Sequence, residues 1–420
     1  MLEIVNNFIN GEFVEPHNKK YLDIYEPAAG SIYGKVADSS SHDIKRAVDS
    51  AKNAFPYWSG LYMAERGEYL KKIAVEIKNR SNILAKYESR DTGKPITLAN
   101  KVDIPRAIEN FNFFANFSEN FSFESSIESE VSINSVSKQA LGVVGCISPW
   151  NLPLYLFTWK IAPALIIGNT VLAKPSEITP MTASKLAEIC SDIGLPKGVL
   201  NIVNGTGYIV GDLIVKNKNI KAISFTGGTE TGKKIYQNSF DSFKKLSLEM
   251  GGKNPAIIFG DCDYESMLKT VVKSSFTNQG QICLCSSRIL VENTIFKKFK
   301  TDFCNAVSEL KLGDPNDDKT EFGSISSESQ FKKIKHYINL AKNEGGNILL
   351  GGKAIQLQGR CKNGWFIEPT VIEGLDNRSR LNQEEIFGPV VTLQLFKSEE
   401  EAIEIANDTK YGLSATVWTN

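Results

Sequence analysis

The spacing of apolar side chains along this 420-residue chain changes period several times, and each change marks an element. After an N-terminal region of short strands and turns, "SSSHDIKRAVDSAKNAFPYW" puts Ile44, Ala47, Val48, Ala51 and Ala54 on one helical face behind a serine-rich start. A second helical run follows over 64–90, and a third, "DIPRAIENFNFFANF", has Pro105 near its N-terminus. The Ser- and Glu-rich stretch "SENFSFESSIESEVSINSVSK" alternates only weakly, at Val131 and Ile133, and predicts a surface loop or an exposed hairpin. From residue 139 the order becomes strand, turn, helix, repeated. "QALGVVGCISP", "NTVLAKPS", "VLNIVNG", "KAISFTGG" and "KKLSLEMGG" read as strands. "TPMTASKLAEICSDIGLPKG" reads as a helix with Thr179 as cap, Pro180 in the first turn and Leu186, Ala187, Cys190 and Ile193 facing inward. Gly194 ends it and Pro196 prevents continuation.

A second region of this kind starts near 253. "NPAIIFG" is a strand, and "YESMLKTVVKSSFTNQG" is a helix that buries Leu268, Val271, Val272, Ser275 and Phe276 and stops at Gly280. "SSRILVEN" is the next strand. Strands alternating with helices at this spacing predict an α/β protein with an open parallel sheet.

Composition narrows the function classes. With 48 basic and 48 acidic residues there is no basic field to attract nucleic acid or an anionic membrane. No run reaches the roughly 18 apolar residues of a membrane span, and "MLEIVNNFINGEF" lacks the pattern of a signal peptide. The seven cysteines are irregularly spaced and unlike a disulfide framework, which predicts a reducing, cytoplasmic setting. Only three histidines are present, so no histidine-rich metal site is expected.

Five stretches can carry chemistry. "SFTGGTETGKKI" sets Gly227, Thr229 and Gly232 between a strand and a helix start, where backbone N–H groups and the helix end favour a pyrophosphate; an ordinary turn fits the same residues. "LAKPSE" ends a strand with Lys174 and Glu177, where an adenosine ribose binds in a doubly wound sheet, and an acidic residue there favours NAD over NADP. Asn151, between the two prolines of "SPWNLP", is an amide donor suited to an oxyanion. Glu249 in "LEMGGKNP" is placed for general-base work on water. "NQGQICLCSSR" offers two thiols, Cys283 and Cys285, in a helix-to-strand loop. Spacing alone does not choose between them, and a zinc half-site lacks a second ligand pair.

Taken in order, "SPWNLP", "NTVLAKPSE", "SFTGGTETG", "LEMGGKNP", "NQGQICLCSSR" and "EEIFGP" resemble the successive signatures of the NAD(P)-dependent aldehyde dehydrogenase superfamily, over essentially the whole chain. The resemblance implies that Cys283 is the nucleophile, that Asn151 and the Cys283 backbone N–H hold the oxyanion, and that Glu249 activates water. It implies NAD contacts at Ser148, Trp150, Lys174, Glu177, Gly227, Gly228, Gly232, Glu385 and Phe387, and no metal. A glutamate at 249 favours hydrolysis to the free acid over acyl transfer to coenzyme A. "SPWNLPLYLFTWKIAPA" and "NQGQICLCSSR" look most like the 2-aminomuconate and 2-hydroxymuconate semialdehyde dehydrogenase branch. Arg106 matches that branch's substrate arginine, and a guanidinium is suited to a substrate carboxylate; Leu156 and Phe157 would line the substrate tunnel.

The expected fold is aldehyde dehydrogenase-like: a Rossmann-type NAD-binding domain over 1–119 and 139–250, an oligomerisation hairpin over 120–138, and an α/β catalytic domain over 251–420. The active site is expected in the cleft between the domains. The resemblance implies a small-molecule aldehyde as substrate and a homodimer or homotetramer, with neither nucleic acid nor membrane as partner. An aliphatic or betaine-type aldehyde is the alternative substrate. Family members continue beyond "ATVWTN", so a C-terminally truncated, inactive homologue is the remaining expectation.

Overall fold

Alternating strands and helices build two main sheets, one in each of two units. The computed structural model describes residues 2–117, 121–122 and 124–420. One unit comprises the stretches up to Ile24, Tyr33–Glu88 and Asn100–Glu249; the other comprises Tyr25–Ile32, Ser89–Ala99 and Met250–Asn420. The segments 25–32 and 89–99, expected with the first domain, group with the second unit. Hydrogen bonding explains this: Gly93 O accepts from Ser324 N at 2.9 Å, Ser326 Oγ donates to Thr92 O at 2.8 Å, and Arg90 pairs with Glu26 at 3.0 Å.

The first unit runs β1 (Asn7–Ile9), β2 (Glu12–Val14), α1 (Ser41–Gly60), α2 (Met63–Asn79), α3 (Ser81–Thr92, shared at its end with the second unit) and α4 (Ile104–Phe117). A hairpin, β3 (Glu124–Glu128) and β4 (Ile133–Ser137), follows. Then come β5 (Val143–Ile147), α5 (Pro153–Ile166), β6 (Thr170–Lys174), α6 (Met181–Asp192), β7 (Leu200–Ile202), β8 (Ile220–Gly227), α7 (Thr229–Ser239) and β9 (Lys245–Met250). The sheet order is β9-β8-β5-β6-β7-β1-β2. β5, β6, β7 and β8 pair in parallel, and β1 and β2 close the edge antiparallel. β5 and β6 are buried along their whole length, as strands covered on both faces must be.

α1 supplies one cover. Its cap is Ser40, whose N–H donates to the Asp43 carboxylate at 2.8 Å, and it buries Ile44, Ala47, Val48 and Ala51 against β5 and β6. Ala54 is only half-buried, because the buried stripe moves on to Trp58, whose indole N–H donates to Leu165 O at 3.0 Å. Each large aliphatic side chain so buried contributes roughly 1.5–3 kcal/mol.

The second unit runs β10 (Pro255–Ile258), α8 (Tyr264–Phe276), β11 (Arg288–Glu292), α9 (Phe296–Ser308), α10 (Glu328–Asn343), β12 (Asn347–Leu350), β13 (Thr370–Glu373), β14 (Val390–Phe396), α11 (Glu399–Asn407) and β15 (Thr416–Trp418). Its sheet order is β12-β13-β14-β11-β10-β15, parallel except for β12.

Three local expectations need correction. α6 begins at Met181 after Pro180, and the Thr179 hydroxyl donates to Trp150 O at 3.1 Å instead of capping the helix. In α8 the fully buried residue of the first turns is Met267, with Leu268 partly exposed. α8 stops at Phe276, not Gly280, because Asn278 and Gln279 turn left-handed at φ 53° and 55°. No helix among the described residues is long and apolar enough to cross a membrane.

Candidate active site

The first unit has a switch in strand order. From β5 the chain steps outward through β6 and β7, then returns to lay β8 on the other flank of β5. In open parallel sheets the crevice at the carboxyl ends of such strands receives the ligand. Here those ends carry Ser148–Asn151 after β5, Lys174–Glu177 after β6 and Gly227–Gly228 after β8, because Ile147 is level with both Lys174 and Phe225. Ser148 N donates to Lys174 O at 3.1 Å, which ties two of these loops together.

Lys174 is almost wholly buried and donates to Glu177 Oε2 at 3.0 Å, while Gly207 N donates to Glu177 Oε1 at 3.3 Å. Burial works to raise the Glu177 pKa, but Lys174 and the backbone N–H groups outweigh it, and the net shift is downward. This keeps an ionised acceptor at the end of β6. Gly228 caps α7, and a Cβ there would meet nothing within 4 Å, so its backbone is open to a ligand. Gly232 is one turn further on and buried, with its N–H donated to Gly228 O at 3.0 Å. An anion-favouring helix end beside an acidic group is a donor set that fits a dinucleotide. Asn151 is buried just before α5, and Trp150 is half-buried.

In the second unit the loop from Gln281 to Ser287 carries both thiols and is fixed by side chains. Asn254 Nδ2 donates to Cys283 O at 2.6 Å and to Cys285 O at 3.1 Å. Gln281 Nε2 donates to Asn278 O at 3.2 Å, its Oε1 accepts from Ser326 N at 3.1 Å, and Gln279 Nε2 donates to Ser324 O at 2.8 Å. Gly280 has φ +68°, and a Cβ there would lie 2.2 Å from Gly388 O, so no other residue fits.

The two thiols differ. Cys285 is buried with its Sγ towards Thr277 O at 3.8 Å, and burial pushes its pKa up to about 12. Cys283 is only half-buried. A nucleophile needs access, and of the two thiols Cys283 is the more accessible.

One cavity of this unit is lined by Cys283 together with Glu385, Phe387, Gly252 and Gly388. Glu385 accepts from Gly252 N at 3.1 Å, and burial raises its pKa. A Cβ on Gly251 would strike the Glu385 carboxylate at 2.1 Å. Phe387 sits at φ 59°, and the carbonyl groups of Ile386 and Phe387 both accept from Gln330 Nε2, at 2.9 and 2.7 Å.

Residues 13–420 match the aldehyde dehydrogenase family. The chain belongs to this family. It is 46% identical to the 2-aminomuconic semialdehyde dehydrogenase of Danio rerio, over 99% of this chain and 86% of that protein. It is 41% identical to the 2-aminomuconic 6-semialdehyde dehydrogenase of a Pseudomonas species, over 98% of this chain and 85% of that one. A betaine aldehyde dehydrogenase from Staphylococcus aureus, solved in complex with NAD+, superposes with a TM-score of 0.95 at 39% identity, covering 99% of this chain and 82% of that one.

In this aldehyde dehydrogenase the residues matched to substrate positions divide. Arg106, on α4, is partly exposed, and Leu156 is half-buried. Phe157 requires correction: it is fully buried on the same face of α5 as Leu154 and Ile161, and packs in the core instead of lining a tunnel. On the more accessible side of α5 Tyr155 is half-buried and Trp159 is exposed. Glu249 lies exposed at the end of β9.

Three further residues act on this machinery without having been singled out in the sequence. Lys160 is buried on α5, donates to Thr226 Oγ1 at 2.6 Å, and feels the Glu249 charge; burial lowers its pKa, and Cys146 and Glu249 oppose that shift. Glu88 is fully buried and accepts from Leu154 N at 3.3 Å and Thr182 Oγ1 at 2.9 Å, which anchors the start of α5 behind Asn151. Asn254 is the third. A lysine within the apolar run "LFTWKIAPALI" is the one visible signal among these.

Proposed function

We propose that this aldehyde dehydrogenase oxidises a carboxylated semialdehyde, of 2-aminomuconate or 2-hydroxymuconate type, to the free acid with NAD as acceptor. Arg106 carries the substrate assignment. It presents a half-exposed guanidinium held by Tyr155, and the relatives named for 2-aminomuconic semialdehydes are the supporting resemblance. In the first unit Lys174, Glu177, Ser148, Trp150, Gly227 and Gly228 are assigned to the cofactor; the assignment of Gly232 is indirect, through α7. In the second unit Glu385 and Phe387 are assigned to its nicotinamide half.

The residue roles follow from their chemistry. Cys283 attacks the aldehyde carbon as a thiolate, and the Asn151 amide and the Cys283 N–H donate to the developing oxyanion. NAD, when bound, supplies the hydride acceptor that turns the thiohemiacetal into a thioester. Glu249 takes a proton from the water that hydrolyses the thioester. The Glu249 charge in turn opposes the lowering of the Lys160 pKa by burial.

Cytoplasmic residence fits seven cysteines that form no disulfide among the described residues. Self-association fits the β3–β4 hairpin, whose Ile127, Val131, Ile133 and Val136 are 73%, 93%, 67% and 56% exposed. A two-stranded ribbon that exposes these apolar side chains, and that pairs with no further strand among the described residues, is suited to adding to a second copy's sheet.

The test is NADH formation with a 2-hydroxymuconate-type semialdehyde, acetaldehyde and betaine aldehyde, for the wild type and Arg106→Ala. The ratio of kcat/KM for the carboxylated substrate over acetaldehyde should fall about tenfold or more in the variant, the scale of one charge-assisted pair. Turnover of betaine aldehyde or acetaldehyde alone would retain the family and discard the substrate.

A further inference from the structure

Arg106 is not a bare cation awaiting an anion. Its Nη1 lies 3.0 Å from Glu109 Oε2, and its Nη2 donates to Tyr155 Oη at 3.1 Å. The guanidinium carbon also lies 5.2 Å from the Tyr155 ring centroid. The two partners are held very differently. The Tyr155 backbone is tied down: its carbonyl accepts from Asn110 Nδ2 at 3.0 Å and from Thr158 Oγ1 at 2.9 Å, and Asn110 is 2% exposed. Asn110 also donates to Thr158 Oγ1 at 2.9 Å, so α4 and α5 are stitched one turn away from Arg106. Among the described residues Glu109 makes only the ion pair with Arg106, on a side chain 62% exposed to water.

A carboxylate ligand binds best to two N–H groups along one edge of the fork. The two terminal nitrogens are divided between the phenol of Tyr155, whose backbone is anchored in the α4–α5 contact, and the exposed carboxylate of Glu109. We infer that Glu109 is an internal competitor for the substrate carboxylate, and that Tyr155 holds the guanidinium in place while one carboxylate is exchanged for the other. This rests on the substrate reading given above for Arg106. The exchange needs only rotation of an exposed side chain, and it tunes affinity for anionic aldehydes without touching the reacting carbon. Tyr155 is a positioning residue, and Glu109 sets specificity.

An exposed pair three residues apart on a helix is weak, which bounds the effect to about two- to fivefold in affinity. The experiment measures kcat and KM for the wild type, Arg106→Ala, Glu109→Gln, Glu109→Asp and Tyr155→Phe at low ionic strength. The substrates are a 2-hydroxymuconate-type semialdehyde and acetaldehyde, and circular dichroism checks each fold. Glu109→Gln should lower KM for the anionic aldehyde about two- to fivefold with kcat unmoved, raising the anionic-to-neutral selectivity ratio. Glu109→Asp, which keeps the charge, should return KM towards wild type. Tyr155→Phe should lower the selectivity ratio roughly threefold or more, by loss of one hydrogen bond to a charged group. An unchanged or raised KM in Glu109→Gln, with Arg106→Ala still impaired on the anionic substrate, overturns this inference alone. A flat response in Arg106→Ala overturns the substrate reading and this inference with it.

Discussion

Asn254→Ala isolates the scaffold of the nucleophile from the nucleophile itself. Asn254 is 3% exposed, donates to Cys283 O at 2.6 Å and Cys285 O at 3.1 Å, and accepts from Ser414 N at 3.2 Å. Alanine removes three hydrogen bonds, each worth about 1 kcal/mol net, and strands carbonyl groups that water reaches poorly. The loop that carries Cys283 should lose roughly 3 kcal/mol of local stability. A displacement of the thiol by about 1 Å is enough to lower turnover on the order of a hundredfold. The assay is steady-state NADH formation, with the rate of Cys283 alkylation as a direct probe of the loop. kcat should fall far more than KM rises, and NAD affinity should hold, because the residues assigned to its adenosine half belong to the first unit. Asn254→Asp should be no better than alanine, since it keeps the shape but turns a carboxylate towards two carbonyl oxygens. A kcat within about threefold of wild type in a folded Asn254→Ala protein would show that the loop needs no such anchor.

Other outcomes follow from the same geometry. Glu249→Gln should leave a first burst of NADH, one per active site, and slow later turnover by about a hundredfold or more; loss of the burst would remove Glu249 from the hydrolysis step. Lys253 is fully buried, its Nζ makes no hydrogen bond among the described residues, and burial, aided by Arg288, lowers its pKa to about 7. Between that value and its ordinary value of 10.5 the unfolded chain binds a proton that the folded chain does not, so this group makes stability rise with pH above about 7. Lys253→Met should therefore flatten the slope of denaturant stability between about pH 7 and pH 9 and add a few kcal/mol at neutral pH, and an unchanged slope would contradict it. Replacing Ile127 and Val136 on the hairpin by Asp should reduce the mass seen by light scattering, and an unaltered mass would exclude the hairpin from assembly.

Periodicity made much of the scaffold legible. The stripe Ile44, Ala47, Val48 and Ala51 is the buried face of α1, and the all-apolar runs at 143–147 and 170–174 are the central parallel strands. These signals are local, so a short window of residues contains them. The difference between Cys283 and Cys285 was invisible to spacing, because it lies in the burial of Cys285, which tertiary packing decides. Phe157 was misread for a related reason: α5 is apolar almost all round, and nothing in its pattern tells the core face from the accessible one. The left-handed turn at Asn278 and Gln279 extended the apparent helix to Gly280, since neither residue is a breaker of the strength of Gly or Pro.

In the proposed mechanism Cys283, and not its neighbour two residues on, forms the bond to the aldehyde. The most direct measurement is the first-turnover NADH yield of Cys283→Ala and Cys285→Ala with a carboxylated semialdehyde, alongside NAD binding followed by fluorescence. Cys283→Ala should bind NAD and yield no NADH, while Cys285→Ala should retain a burst. NADH from the Cys283→Ala protein at the wild-type rate, or abolition of the burst only when Cys285 is replaced, would contradict that mechanism.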